Sequence, residues 1–216
     1  MDVEAEKRRA ALASADLIEN GMRVGLGTGS TVGYLLAELA VRRPRVSYVA
    51  TSPRTATIMR DAGIEVDPFD ALDRLDLAID GADQITSGGW LIKGGGGAHT
   101  REKIVAASAD RYVVIADASK MVESLHAPVP LELLAFGVAA TLGRLHPSEL
   151  RDAPRSPDDG VLADYLGVVD DPAALSARLA GTPGVVAHGL FPPSLVTEIL
   201  LGRGGTLQQI TIGGPQ

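Results

Sequence analysis

MRVGLGTGSTVGYLLAELA, residues 22–40, decides the fold. A short apolar strand over 22–26 runs into the glycine turn GLGTGST at 25–31, and apolar periodicity then predicts a helix over 32–40. In this order the backbone N–H groups of a turn and a helix N-terminus converge on an anion. The spacing G-x-G-x-G lacks the third glycine of the dinucleotide fingerprint, and no Walker lysine follows, so neither a nicotinamide nor an ATP site is indicated. The hydroxyls of Thr28, Ser30 and Thr31 can donate to an oxyanion, or one of them can cap the helix; the two readings stand level at this point.

Outward from this stretch the pattern repeats. A strand over 46–50 ends at Thr51-Ser52 and leads to a helix over 53–62 with proline near its first turn. Strands are expected at 64–66 and 75–79, and another at 112–116 ends in Asp117, Ser119 and Lys120. Such alternation predicts a Rossmann-like α/β domain with a mostly parallel sheet, whose ligands bind outside the carboxyl ends of the strands. The polar loops 28–31, 51–52, 80–83, 93–97 and 117–120 are expected to line one cleft. Residues 3–18 read as an amphipathic scaffold helix stopped by Asn20-Gly21.

From residue 128 the character changes. Residues 128–145 read as a prolonged helix candidate after a proline-marked strand, and 147–160 as polar and turn-rich. A strand at 161–168, a helix at 173–179 and a strand at 185–188 make a smaller α+β domain. Residues 195–200 and 207–212 are expected to return as strands to the first domain. The expected division is therefore 1–127 with 195–216 for the larger domain and 128–194 for the smaller.

Two further stretches carry chemistry. LIKGGGGAHTREK, residues 91–103, holds four consecutive glycines between apolar residues and a helix. Ordering four glycines costs so much backbone entropy that bare backbone is expected close to an anion, with Lys93 flanking it; the competing reading is a flexible linker. In DGADQI, residues 80–85, two carboxylates lie at a strand end, either as part of the ligand cleft or as backbone-capping residues of a solvated turn. Glu102 falls in the first turn of the helix after the glycines, where dipole compensation alone would suit it. His99, beside the glycine run, is either a pocket wall or a residue of a solvated helix start, and the second is expected.

Composition sets the bounds. The 216 residues are 45% hydrophobic and 22% charged, with no cysteine, which excludes disulfides and thiolate chemistry. A formal net charge of −7 argues against general nucleic-acid binding, so affinity for an anionic metabolite must be local. No apolar run approaches the ~18 residues of a membrane span. No secretory signal is recognisable at the N-terminus, and the cytoplasm is the expected compartment. The scattered His99, His126, His146 and His188 show no metal-ligand spacing, and no G-x-S-x-G elbow occurs.

GLGTGST (25–31), DGAD (80–83), KGGGGA (93–98), REKIV (101–105) and ADASK (116–120), in this order and at these gaps, resemble the ribose-5-phosphate isomerase A family. The likeness extends through PVPLELLAFG (128–137) and PGVVAHGLF (183–191), nearly the whole chain. The resemblance implies interconversion of D-ribose 5-phosphate and D-ribulose 5-phosphate without metal or organic cofactor. It also implies a Rossmann-like domain, a ferredoxin-like domain inserted late in the chain, and assembly as a homodimer or homotetramer. By resemblance Glu102 is the general base, Asp80 and Asp83 handle ring opening and hydroxyl protons, and Lys93 faces the developing oxyanion. Thr28, Gly29, Ser30 and Thr31, Gly81 and Ala82, Gly94, Gly95 and Gly96, and Lys120 are the implied substrate contacts. Gln84, where the family commonly has glutamate, and His99, where an apolar residue is usual, depart from the pattern. A sugar-phosphate-sensing regulatory domain and a coenzyme A transferase-like enzyme on a related fold are the other functions considered.

Overall fold

A computed structural model describes residues 2–213. The chain begins with α1 (Val3–Ala15), β1 (Arg23–Leu26), α2 (Ser30–Arg42), β2 (Ser47–Ala50), α3 (Pro53–Asp61) and β3 (Leu77–Asp80). The short strands β4 (Gln84–Ile85) and β5 (Leu91–Ile92) follow, then α4 (His99–Ala107) and β6 (Tyr112–Asp117). Next come β7 (Val129–Leu133), α5 (Val138–Arg144), β8 (Ser148–Leu150), β9 (Val161–Tyr165), α6 (Pro172–Ala180) and β10 (Val185–His188). β11 (Leu190–Phe191), β12 (Glu198–Arg203) and β13 (Thr206–Thr211) complete it. The chain divides into two compact units, one of Met1–Ala82, Arg101–Lys120 and Pro193–Gln216, the other of Asp83–Thr100 and Met121–Pro192.

The first unit is built on a six-stranded sheet ordered β13-β12-β6-β3-β1-β2. Every neighbouring pair is parallel except the β12–β13 hairpin at one edge. Strand periodicity sorts the faces. Val24 and Leu26, Leu77 and Ile79, Val113 and Ile115 enter one core with Ala10 and Ala11 of α1 and Leu35 and Leu39 of α2. On the opposite face of β1, a Cβ on Gly25 would overlap the Val105 side chain of α4, so that glycine admits the helix. Helices on both faces explain why the strands read as nearly continuous apolar runs.

In the second unit β7, α5, β8, β9, α6 and β10 form a βαββαβ unit whose antiparallel sheet runs β10-β7-β9-β8, the ferredoxin-like order. Val129, Leu131 and Leu133 of β7 pack with Ala163 and Tyr165 of β9 and Leu175 and Leu179 of α6. A separate three-stranded sheet, β11-β5-β4, belongs to the same unit.

The structure revises several local expectations. The prolonged helix after 128 is a five-residue strand, β7, and a seven-residue helix, α5, separated at Gly137, whose φ of 72° is left-handed. All of β7 is buried, so its leucines serve a two-sided strand where helical periodicity was read. No strand forms at 64–66; Ile64 is buried and Asp67 N donates to Tyr48 O (2.8 Å), which is too little pairing to extend the sheet. The turn-rich 147–160 contains β8, and the first helix stops at Ala15, short of residue 18.

Candidate active site

In the first unit the strand order reverses at β1, which lies between β2 and β3, and at such a switch point loops leave in opposite directions and open a crevice. Gly27 N donates to Ile79 O (2.9 Å), and Asp80 Oδ1 accepts from Thr28 N (3.1 Å) and Gly81 N (2.7 Å). Asp80 is 2% exposed, and a Cβ on Gly27 would occupy the space of its carboxylate. Gly25 and Gly27 therefore make room for Val105 and Asp80, while Gly29 is the N-cap residue of α2.

None of Thr28, Ser30 or Thr31 caps α2, which has no side-chain cap bond at its N-terminus, whereas Asp2, Ser52 and Asp171 cap α1, α3 and α6. The first N–H groups of α2, together with its dipole, are thus left for an anion. Ser30 is exposed there, and Thr31 is buried. The Thr28 hydroxyl turns instead into a cluster, donating to Ser52 Oγ (2.7 Å) and lying 2.9 Å from Thr55 Oγ1. Thr55 Oγ1 in turn donates to Gly27 O (3.0 Å), tying α3 to the glycine turn. Sequence reasoning had flagged Ser52 but missed Thr55, although a serine cap, a proline at the first helical position and a threonine three residues on was the available signal.

Also in this unit, Glu102 is 4% exposed in the first turn of α4. Its neighbour Lys103 has its pKa pushed down to about 8 by burial. Lys120 ends a short 3-10 turn after β6. That turn is fixed from two sides: Asp117 Oδ1 accepts from Ser119 N (2.9 Å), and Glu6 of α1 accepts from Ala118 N (3.1 Å) and Gly204 N (2.8 Å). Glu6 is 4% exposed, so α1, read as scaffold, contributes a buried carboxylate that holds the loop of Lys120.

The second unit carries Asp83, Lys93 and the glycine run. Asp83 N donates to Ile92 O (2.8 Å) and Lys93 N to Gly189 O (2.9 Å), so the β4–β5–β11 sheet sets both. Lys93 is 3% exposed, its Nζ 5.5 Å from the centre of the Phe191 ring, a distance at which the ring face attracts a cation. The glycines form a tight turn in which Gly97 N donates to Gly94 O (3.0 Å), with φ of 105° at Gly94 and 75° at Gly97. Asp83 Oδ2 accepts from Gly95 N (2.8 Å), which brings that acid onto the turn. Gly95 and Gly96 are exposed at its tip and Gly94 is buried, so this is an ordered turn and not a linker.

His99 is not at a solvated helix start: it is fully buried, and a Cβ on Gly94 would lie 2.7 Å from its Nδ1. The ring fills the space that the glycine leaves. Gln84 also has a physical role, because Nε2 donates to His126 O (2.8 Å) and Oε1 accepts from His126 N (2.9 Å). A glutamate carboxylate has no donor for the first of these bonds. Among the described residues no group of three or more His, Asp or Glu side chains is placed to hold a metal ion.

Fold and site together define an open α/β-sheet protein with buried ionisable groups at strand ends and a helix N-terminus ready for an anion. The family model of ribose 5-phosphate isomerase A (phosphoriboisomerase A) matches residues 47–205. Ribose-5-phosphate isomerase A of Roseiflexus castenholzii is 43% identical, covering 96% of both chains, and that of Methanosarcina acetivorans is 44% identical over 95% of this chain and 94% of its own. A D-ribose-5-phosphate isomerase solved in complex with phospho-erythronic acid superposes with a TM-score of 0.91 at 30% identity, covering 98% of this chain and 100% of its own. The Neisseria gonorrhoeae enzyme superposes with a TM-score of 0.90 at 29% identity, covering 95% of both. The chain belongs to the ribose 5-phosphate isomerase A family.

Proposed function

We propose that the chain interconverts D-ribose 5-phosphate and D-ribulose 5-phosphate with Glu102 as the base that moves one proton between C2 and C1 of the open-chain sugar. The observation that carries the reading is Glu102 at 4% exposure on the first turn of α4, in a chain that belongs to an isomerase family. For a carboxylate serving only the helix dipole, the loss of hydration on burial opposes whatever the dipole supplies, so an exposed position would serve as well. Glu102 takes the C2 proton of the aldose, the C2–H electron pair becomes part of an enediolate, and return of the proton to C1 gives the ketose. Lys93 meets the developing negative charge on the oxygen. Asp80 and Asp83 move the hydroxyl protons and assist ring opening. The phosphate and remaining hydroxyls are bound by Thr28, Gly29, Ser30 and Thr31, by Gly81 and Ala82, by Gly94, Gly95 and Gly96, and by Lys120.

No electron leaves the sugar in this scheme, so it calls on no redox cofactor. The partner is a pentose phosphate; nucleic acid and membrane have no part in the reading. No helix among the described residues is long and apolar enough to cross a membrane, and we assign the chain to the cytoplasm as a homodimer or homotetramer. Membership of this family does not favour a regulatory sensor or a coenzyme A transferase. The test compares ribose 5-phosphate with ribose. Remote binding energy of the phosphate positions the reacting carbons, so kcat/KM for ribose is expected to be lower by about 10³ or more. Comparable values for the two sugars sink the proposal.

A further inference from the structure

The glycine turn is held by a residue far along the chain. Arg151, just after β8, lies against Asp164 of β9 as a fork on a fork: Nε to Oδ2 at 2.7 Å and Nη2 to Oδ1 at 2.6 Å. Its remaining nitrogen, Nη1, donates to Gly94 O at 2.8 Å. The two side chains are 16% and 15% exposed, so water screens the pair weakly. Gly94 O also accepts from Gly97 N, which makes it the acceptor on which the turn closes. Asp83 holds the other end of the same peptide through Gly95 N, so one peptide group is clamped by a cation at its carbonyl and an anion at its N–H.

We propose that Arg151, braced by Asp164, is a positioning residue that fixes the glycine turn and with it Lys93. The physical need is plain: a run of glycines has the widest conformational freedom of any sequence, and a turn that presents N–H groups to substrate works only if that freedom is removed. A planar guanidinium suits the task, because two of its nitrogens fix its orientation on Asp164 while a third is aimed at the carbonyl. Lysine cannot do both. Its ammonium can keep one bond to Asp164, but it has no rigid third edge for Gly94 O.

The inference rests on the reading that Lys93 and the glycine turn serve isomerisation, and the two fail differently. If the wild-type chain does not isomerise ribose 5-phosphate, that reading falls; if it does, Arg151→Lys tests the inference. Arg151→Lys is expected to lower kcat at least tenfold with KM within about threefold, because the loss is in aligning the reacting groups. The melting temperature should stay close to wild type, and faster amide hydrogen exchange should be confined to residues 95–97. Wild-type kcat, or a fall in kcat matched by general loss of protection, overturns the proposal. Should Arg151→Lys not fold, Asp164→Asn keeps the donor to Gly94 O but weakens its brace. A smaller fall in kcat with the same local exchange supports positioning, and wild-type values of both overturn it.

Discussion

Glu102 and Lys103 are neighbours on α4 and show what burial does to a single residue. For Glu102 the prediction is specific: Glu102→Gln keeps the size and reach of the side chain but cannot accept a carbon-bound proton, so kcat should fall by about 10² to 10⁴. Folding should be nearly unaffected. A carboxylate that only compensated the helix dipole would instead cost ~0.3–1 kcal/mol of stability and almost nothing in turnover. Measuring melting temperature and kcat on one preparation separates the outcomes, and a variant that melts early yet turns over normally removes Glu102 from the mechanism. At this scale residue type alone marked Asp80, Lys93 and Glu102 as candidates, and all three side chains are buried. It was not legible for His99, because whether an imidazole meets water or a glycine backbone depends on what the turn before it does.

Among the elements, the turn between β1 and α2 depends on empty space more than on any bond. Because a Cβ on Gly27 would overlap Asp80, Gly27→Ala should push the carboxylate off Thr28 N. The overpacking cost is about 1–3 kcal/mol of stability. We expect kcat to fall at least tenfold in protein that remains folded at 25 °C, read by turnover and by thermal unfolding. Unchanged kcat would show that the position of Asp80 is not critical. The alternation of strand, glycine turn and helix was plain in the sequence, since periodicity and turn residues are local signals. The path after residue 128 was not: β7 is buried on both faces, and a run buried on both faces loses the alternation that marks a strand.

For the whole molecule the testable quantity is stability against pH. Burial holds the pKa of Lys103 at about 8, below its ordinary value of 10.5. Between these two values the unfolded chain holds more protons than the native one, so stability rises with pH through this window and is lowest below it. Burial pushes the Tyr48 hydroxyl up to about 12, which acts in the opposite sense, but only above the ordinary tyrosine value of 10.0. From pH 8 to 10 the Lys103 contribution therefore acts without that of Tyr48. Unfolding midpoints in denaturant are expected to increase across it, and Lys103→Met should flatten the rise. A wild-type curve that is already flat there would show that Lys103 titrates normally.

The sequence by itself determined the mostly parallel α/β sheet, the later α+β domain and the family to which the chain belongs. Apolar periodicity, glycine turns and the ionisable groups at strand ends are encoded within a few residues of one another. Only the tertiary structure decided which glycines make room for side chains and which present backbone, that the Thr28 hydroxyl joins Ser52 and Thr55 while α2 stays uncapped, and that Glu6 holds the loop of Lys120. It also decided that Arg151 reaches back to Gly94. Each of these depends on contacts between segments far apart in the chain, and such contacts are set by how sheets and helices pack, which no local pattern of residues records.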